Sequence, residues 1–319
     1  MENISRNLLS LRLRGISLSE RRLAHIDDAA YVLARRFSDD INGEYDAFRA
    51  EYKRLVSQIM PASQELPCDV PEENRERVFI GAAEEAVNVG IFLCSSICEQ
   101  RRRMGALPEL SSFFPLTGET EDNARIAYLR NPFSDTAYRV FSEAILNASV
   151  SYPRDFNSVC EEVYYGRCKY CILPIETSDE GGLSGFRRLI TKYELCPVLS
   201  CSVSSGGGSQ TTRFALFSKN IERLELSDRK GVTKEREIFS FRLNAPTEDS
   251  LVKTVKSMHI YGMRLLKVDS IPVSWDEGHY SFEFSAECDS GDIHAMLLYL
   301  ALEIPEYTPI GLYSQIKVV

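Results

Sequence analysis

The stretch FNSVCEEVYYGRCKYCILPIETSDEGGLSGFRRLITKYELCPVLSCSV, residues 156–203, alternates between two kinds of pattern. Residues 156–165 and 183–192 read as helices. Residues 168–175 and 196–203 are short apolar runs bounded by turn residues, the mark of buried strands. Helix, strand, helix, strand in that order argues for an α/β layer with a largely parallel sheet. Working outward, 125–129 reads as a strand and 135–148 as a helix on the upstream side. Downstream, SSGGGSQ (204–210) is a flexible connector to a short strand over 212–217.

Beyond a charged connector, LSDRKGVTKERE (226–237), the pattern becomes βαββαβ. Phe239, Phe241 and Leu243 alternate on one strand, Tyr280, Phe282 and Phe284 on another, and 251–261 and 292–302 are helical. That order predicts a ferredoxin-like sandwich, a fold that hosts many functions.

Residues 1–104 contain no convincing strand. Leu23, Ile26, Ala30, Leu33 and Phe37 stand at helical spacing over 18–37, and Tyr45, Phe48, Tyr52, Leu55 and Ile59 over 44–60, which Pro61 stops. A third helix is expected over 71–104, with Pro71 at its start, Glu72 and Glu73 in its first turn and Arg101, Arg102 and Arg103 in its last, all favourable to the helix dipole. The expected organisation is therefore multi-domain. An all-α unit spans 1–104, a linker 105–123, an α/β unit 124–220, a linker 221–236 and an α+β ferredoxin-like unit 237–319.

The 319 residues are 44% apolar and carry a net charge of -9, so no global basic field holds a nucleic-acid backbone or an anionic membrane. No window reaches the roughly 18 apolar residues a spanning helix needs. The opening MENISRNLLSLRLRG lacks the basic start and apolar core of a secretory signal, and nine scattered cysteines suit a reducing compartment, so a cytoplasmic protein is expected. Cys168-x-x-Cys171 stands without a second such pair, and on a strand its thiols would face opposite ways, so core thiols are expected rather than a metal or redox centre. The glycines 206–208 lack the Lys-Ser/Thr of a phosphate-binding loop, and no cofactor or metal is expected.

Residues 156–203 resemble, almost end to end, the first lobe of prephenate dehydratases. Pro174, Ile175, Glu176, Thr177 and Ser178 stand where that family has a Pro-Ile-Glu-Asn-Ser loop, and Thr212, Arg213 and Phe214 resemble its Thr-Arg-Phe strand. AYLRNPFSD (127–135) looks like its first strand and turn, with Ser134 fitting the turn's serine. Between Val203 and Thr212 the family has a complete second lobe, which is missing here. The last segment resembles an ACT regulatory domain, with Asp249, Ser250 and Leu251 near the family's Gly-Ala-Leu and Asp269 and Ser270 in its Glu-Ser-Arg-Pro. With these placed, the helices occupy the position of a helical chorismate mutase. Arg12 resembles the first substrate arginine, Asp46 and Arg49 an Asp-x-x-Arg, and Ser96 with Gln100 the last-helix pair.

The resemblance as a whole is to the bifunctional chorismate mutase/prephenate dehydratases of phenylalanine biosynthesis, with the dehydratase part cut to one lobe. It implies catalytic roles for Thr212, Arg213, Glu176, Ser178 and Ser134 and chorismate binding by Arg12, Asp46, Arg49, Ser96 and Gln100. It also implies an aromatic amino acid effector at Asp249, Ser250, Leu251, Asp269 and Ser270, and a homodimer. Two readings follow. One is an enzyme of the chorismate-to-phenylalanine branch, with the mutase step better retained than dehydration. The other is an inactive paralogue that regulates or binds partners through its helical and ACT segments.

Overall fold

Among the described residues three helices come first: α1 (Glu20–Arg36), α2 (Ile41–Ile59) and α3 (Glu72–Arg103), in the expected places. In this computed structural model the residues described are 18, 20–36, 41–60, 72–107, 110–113, 123–145, 147–179, 181–204, 210–224, 226, 231–272 and 280–318. Arg12 and the glycines 206–208 lie outside them. The periodic positions Leu23, Ile26, Ala30 and Leu33 of α1 are buried, as an amphipathic helix requires.

The α/β part comprises β1 (Arg125–Ala127), α4 (Pro132–Ala144), β2 (Ser149–Ser151), α5 (Phe156–Tyr164), β3 (Tyr170–Thr177), the short β4 (Gly181–Gly182), α6 (Ser184–Lys192), β5 (Cys196–Ser204) and β6 (Thr211–Ser218). The βαββαβ part follows as β7 (Val232–Leu243), α7 (Glu248–Ile260), β8 (Arg264–Pro272), β9 (Tyr280–Glu287), α8 (Ile293–Glu303) and β10 (Tyr307–Val318). Its strands lie in the order β10-β7-β9-β8, all antiparallel, which is ferredoxin-like topology.

Three expectations need correction. The α/β sheet is mixed, not largely parallel: β1 is parallel to both β2 and β3, but β6 runs antiparallel to β3 and β5. The reason is that β5 and β6 are joined by a short connector, which permits a hairpin and no crossover helix.

The connector 221–236 is not a free linker. β7 already begins at Val232, and Leu224 and Val232 are buried in the core beneath α4. The long strand β10 pairs with β7 along its length and also runs parallel to β5, with Ser314 opposite Leu199 and Ile316 opposite Cys201. One sheet thus runs β2-β1-β3-β6-β5-β10-β7-β9-β8 through both parts. Gly311 permits the close approach, because a Cβ there would meet the Pro197 carbonyl oxygen at 3.1 Å.

The helices do not form a core of their own either. Residues from α1 and α3, with Tyr52 and Ile59 of α2, share one apolar core with β7, β9, α7 and α8. The segment 105–123 contributes to it, because a 3₁₀ turn at Leu110–Phe113 packs Leu110 and Phe113 against this core. Sandwiched between α3 and the sheet, α8 buries seven of its residues from Ala295 to Leu302, which is why IHAMLLYLALE is apolar on every side. Full burial of each Leu or Met there contributes about 1.5–3 kcal/mol.

Candidate functional site

Strand alternation assigns the side chains of β3 and β6 to two faces. Tyr170 and Ile172 with Phe214 and Leu216 lie in the core under α4, whereas Cys171 and Leu173 with Ala215 and Phe217 lie in the core under α5 and α6. The ladder pairs Ile172 with Leu216, Leu173 with Ala215 and Pro174 with Phe214, then slips by one residue, so that Glu176 pairs with Arg213 and Thr177 with Thr212. The extra residue is Ile175, and this bulge keeps Glu176 on the α6 face, where unbroken alternation would have sent it to the α4 face.

Glu176 and Arg213 form an ion pair. Burial pushes the Arg213 guanidinium below its ordinary pKa, against an opposing effect from Tyr313 and helped by Arg236. Its Nε is buried without a hydrogen-bond partner among the described residues. Thr212, one residue along, points to the other face. The expected grouping of Thr212 with Glu176 and Arg213 is therefore not reproduced, since β6 alternates without a bulge between Thr212 and Phe217.

Ser178 closes the end of the same strand pair. Its Oγ donates to Asp179 Oδ1 at 2.8 Å and accepts from the Thr211 N–H at 3.2 Å. Ser134 lies in the first turn of α4, where Pro132 is well placed at the helix start. Asn131 accepts from the N–H groups of Phe133 (3.1 Å) and Ser134 (2.9 Å), and its Nδ2 donates to Ser134 Oγ at 2.9 Å. The donors that could receive a substrate carboxylate at this helix start are thus engaged by the chain's own cap.

Of the mutase candidates, Arg12 lies outside the described residues and the others stand on α2 and α3, which are in contact. Arg49 donates from Nε to the Leu302 carbonyl of α8 at 3.3 Å, and Asp46 is exposed. Ser96 and Gln100 are half-buried on α3. The effector candidates divide between faces of the C-terminal sheet. Asp249 pairs with Lys253 at 2.7 Å, Ser250 Oγ donates to Glu306 at 3.0 Å, and Leu251 packs on the helix-side core. Ser270 pairs with Phe282 on that side, but Asp269 pairs with Glu283 on the opposite face and forms an ion pair with Arg187 of α6. One effector site built from all five is corrected accordingly.

The opposite face carries what the sequence reading missed. Between α6 and the strands β7–β10 lies a cleft of about 580 Å³ with Ala215 and Phe217 in its lining. Arg187, Arg242 and Lys267 line it beside Asp269 and Glu283. Arg242 Nε donates to Glu283 Oε1 at 3.0 Å, and Lys267 Nζ lies 3.0 Å from Asp269. Burial, then Arg187 and Arg213, push the Lys267 ammonium below its usual pKa, with Glu283 opposing. The available signal was the polar half of the strand alternation: Ser240 and Arg242 among Phe239, Phe241 and Leu243 of β7, and Glu283 and Ser285 among Phe282, Phe284 and Ala286 of β9.

Cys168 and Cys171 share the core under α5, because Cys168 precedes the strand and the alternation expected to separate them does not apply. Burial raises both thiols. Among the described residues no group of His, Cys, Asp or Glu is placed to hold a metal, and no helix is long and apolar enough to cross a membrane.

No family model and no curated protein matches the sequence. Among solved structures, prephenate dehydratase from Streptococcus mutans superposes with a TM-score of 0.47 at 22% identity, over 60% of this chain and 98% of that one. GqqA, described as a novel type of quorum quenching acylase, gives 0.45 at 16% identity, over 60% and 94%. Prephenate dehydratase from Arthrobacter aurescens, in complex with L-Phe, gives 0.44 at 16% identity, over 59% and 89%. The chain is thus a mixed α/β protein with a large sheet whose structural neighbours include prephenate dehydratases, and values of this size leave its chemistry to be read from its own residues.

Proposed function

We propose that the chain is a chorismate mutase/prephenate dehydratase-like protein of aromatic amino acid biosynthesis, cytoplasmic, in which rearrangement of chorismate to prephenate is retained and dehydration of prephenate is lost. The observation that carries it is the ladder that zips Pro174–Thr177 to Thr212–Phe214, bringing together two motif segments far apart in sequence. Poorer retention of dehydration than of the mutase step is supported by the same ladder. Thr212, the proposed acid for the departing hydroxyl, takes the face opposite the Glu176–Arg213 pair, and only residues 204–211 stand where the dehydratase family has a second lobe to exclude water.

The mutase step is assigned to Arg12, Asp46, Arg49, Ser96 and Gln100. A homodimer belongs to the proposal. Strand β8 ends the sheet with Leu265 and Val268 exposed, next to exposed Val252 and Val255 of α7, and an open apolar edge suits pairing with a second copy. An aromatic amino acid effector is assigned to the helix face, at Asp249, Ser250, Leu251 and Ser270.

The second reading, an inactive paralogue that regulates through binding, is favoured by the hydrogen bond from Arg49 to Leu302, which uses a proposed substrate arginine to join α2 to α8. Incubation with chorismate, following prephenate and phenylpyruvate separately, distinguishes them. Prephenate without phenylpyruvate is expected. Phenylpyruvate would overturn the loss of dehydration, and neither product at stoichiometric enzyme would establish the binding reading.

A further inference from the structure

We propose that α6 is a lid over the cleft it shares with the C-terminal sheet, held shut by an ionic clasp at Arg187 and opening when that clasp releases. From α4 onward, α6 is the least anchored helix. The other four each carry a side-chain cap, from Asn131, Asp155, Thr247 and Asp292, and each buries at least three of its residues. α6 has no side-chain cap at Leu183 and no buried residue. A helix of nine residues without a cap is too short to hold by itself, so its neighbours decide whether it stays in place.

Those neighbours tie the two ends and leave the middle loose. Ahead of the helix, the short β4 pairs with β3, and the Leu183 N–H donates to the Ile175 carbonyl at 3.1 Å. Gly181 there has a φ of +69°, which glycine adopts without strain. Behind the helix, Tyr193 and Leu195 are buried, and the Tyr193 hydroxyl donates to Asn157 Oδ1 at 2.9 Å. Between these ties Phe186, Leu189 and Ile190 rest half-buried against the core under α5, with Phe186 edge-on to Phe156. The helix can therefore roll towards α5 about the line joining its ends, which lifts Arg187 off the sheet.

Across the cleft the hold is ionic. Arg187 pairs with Asp269 of β8 and, at 4.0 Å, with Glu283 of β9. The three side chains are 29%, 23% and 20% exposed, so water and salt reach the clasp. The other face of the same junction is sealed differently, because Val232 of β7 and Ile316 of β10 share the apolar core under α4. Packing thus fixes one face, and charge closes the other. What the lid covers is a cleft of about 580 Å³ lined in part by Leu195, Ala215 and Phe217, and its opening controls access to that apolar surface.

The test is hydrogen exchange of the full chain followed by mass spectrometry, and it needs no turnover of chorismate, so its outcome is independent of the proposed function. The control is α5, also nine residues long but capped by Asp155 and with Val159, Cys160 and Val163 buried. Residues 184–192 should exchange about tenfold or more faster than 156–164. Arg187→Gln should speed exchange in α6 about fivefold further and leave α5 unchanged, with Asp269→Asn acting in the same segment but less, since Glu283 remains. About 0.5 M sodium chloride should speed α6 in the unsubstituted chain and add little to Arg187→Gln. Equal protection of the two helices overturns the lid, and so does an Arg187→Gln effect that is absent or that spreads equally to α5. Should Arg187→Gln fail to fold, the salt response of α6 relative to α5 in the unsubstituted chain decides alone.

Discussion

The two faces of strands β3 and β6 carry opposite chemistry although they are built from the same residues in alternation. Under α4, Tyr170, Ile172, Leu216 and Phe141 are wholly buried and the face is closed by packing. Under α6, Leu173 and Ala215 give way, past the bulge at Ile175, to Glu176 and Arg213 and then to an open cleft. One face is closed by packing and the other carries an ion pair near a cleft. A single inserted residue sets which face receives the glutamate.

The comparison breaks first if stability is not concentrated on the α4 face. Phe141→Ala should cost about 3–5 kcal/mol, since its ring is fully buried, whereas Arg213→Gln on the other face should cost about 1 kcal/mol or less. Urea unfolding of both variants checks this, and equal losses would dissolve the contrast.

A second test asks whether the helices and the C-terminal fold behave as one body. A Cβ at Gly90 would meet Tyr52 Oη at 3.0 Å and Tyr299 Cε2 at 3.3 Å, so Gly90→Ala should destabilise by about 1–3 kcal/mol through overpacking. Far-UV and near-UV dichroism should lose signal together on heating; two separated transitions would restore the independent helical domain that the sequence suggested.

Smaller effects sharpen the picture. Asn131→Ala removes the cap of α4 and should cost about 0.5–2 kcal/mol by calorimetry, while freeing the N–H groups of Phe133 and Ser134. At the far end of the molecule, His294 stacks edge-on to Phe113, and burial holds its pKa below the ordinary 6.5. The unfolded chain therefore takes up the proton first. The contribution of the neutral imidazole is complete above pH 6.5 and is lost as pH falls below it, so His294→Phe should flatten the decline of the unfolding midpoint between about pH 7 and pH 5.

Much of the local structure was legible in the sequence. Leu23 to Leu33 announced α1 through their spacing, and Phe239, Phe241 and Leu243 announced a strand, because periodicity of burial is a local property. The register slip at Ile175 was not legible, since Pro-Ile-Glu reads the same with or without a bulge. Asp269 and Ser270 illustrate the point at the candidate site: one motif supplied both, and the pleat sent them to opposite faces.

By itself the sequence determined most of the helices and strands, though not β2 or β4, the βαββαβ order of the last part and the alternation of apolar with polar residues along β7 and β9. Only the tertiary structure decided that β10 would lie beside β5, that α3 would share a core with α8, and that Arg187, Arg242 and Lys267 would converge on one cleft. The physical reason is that spacing along a chain fixes which face a side chain takes, whereas strand neighbours and helix contacts depend on pairings between distant segments whose energies no local pattern encodes.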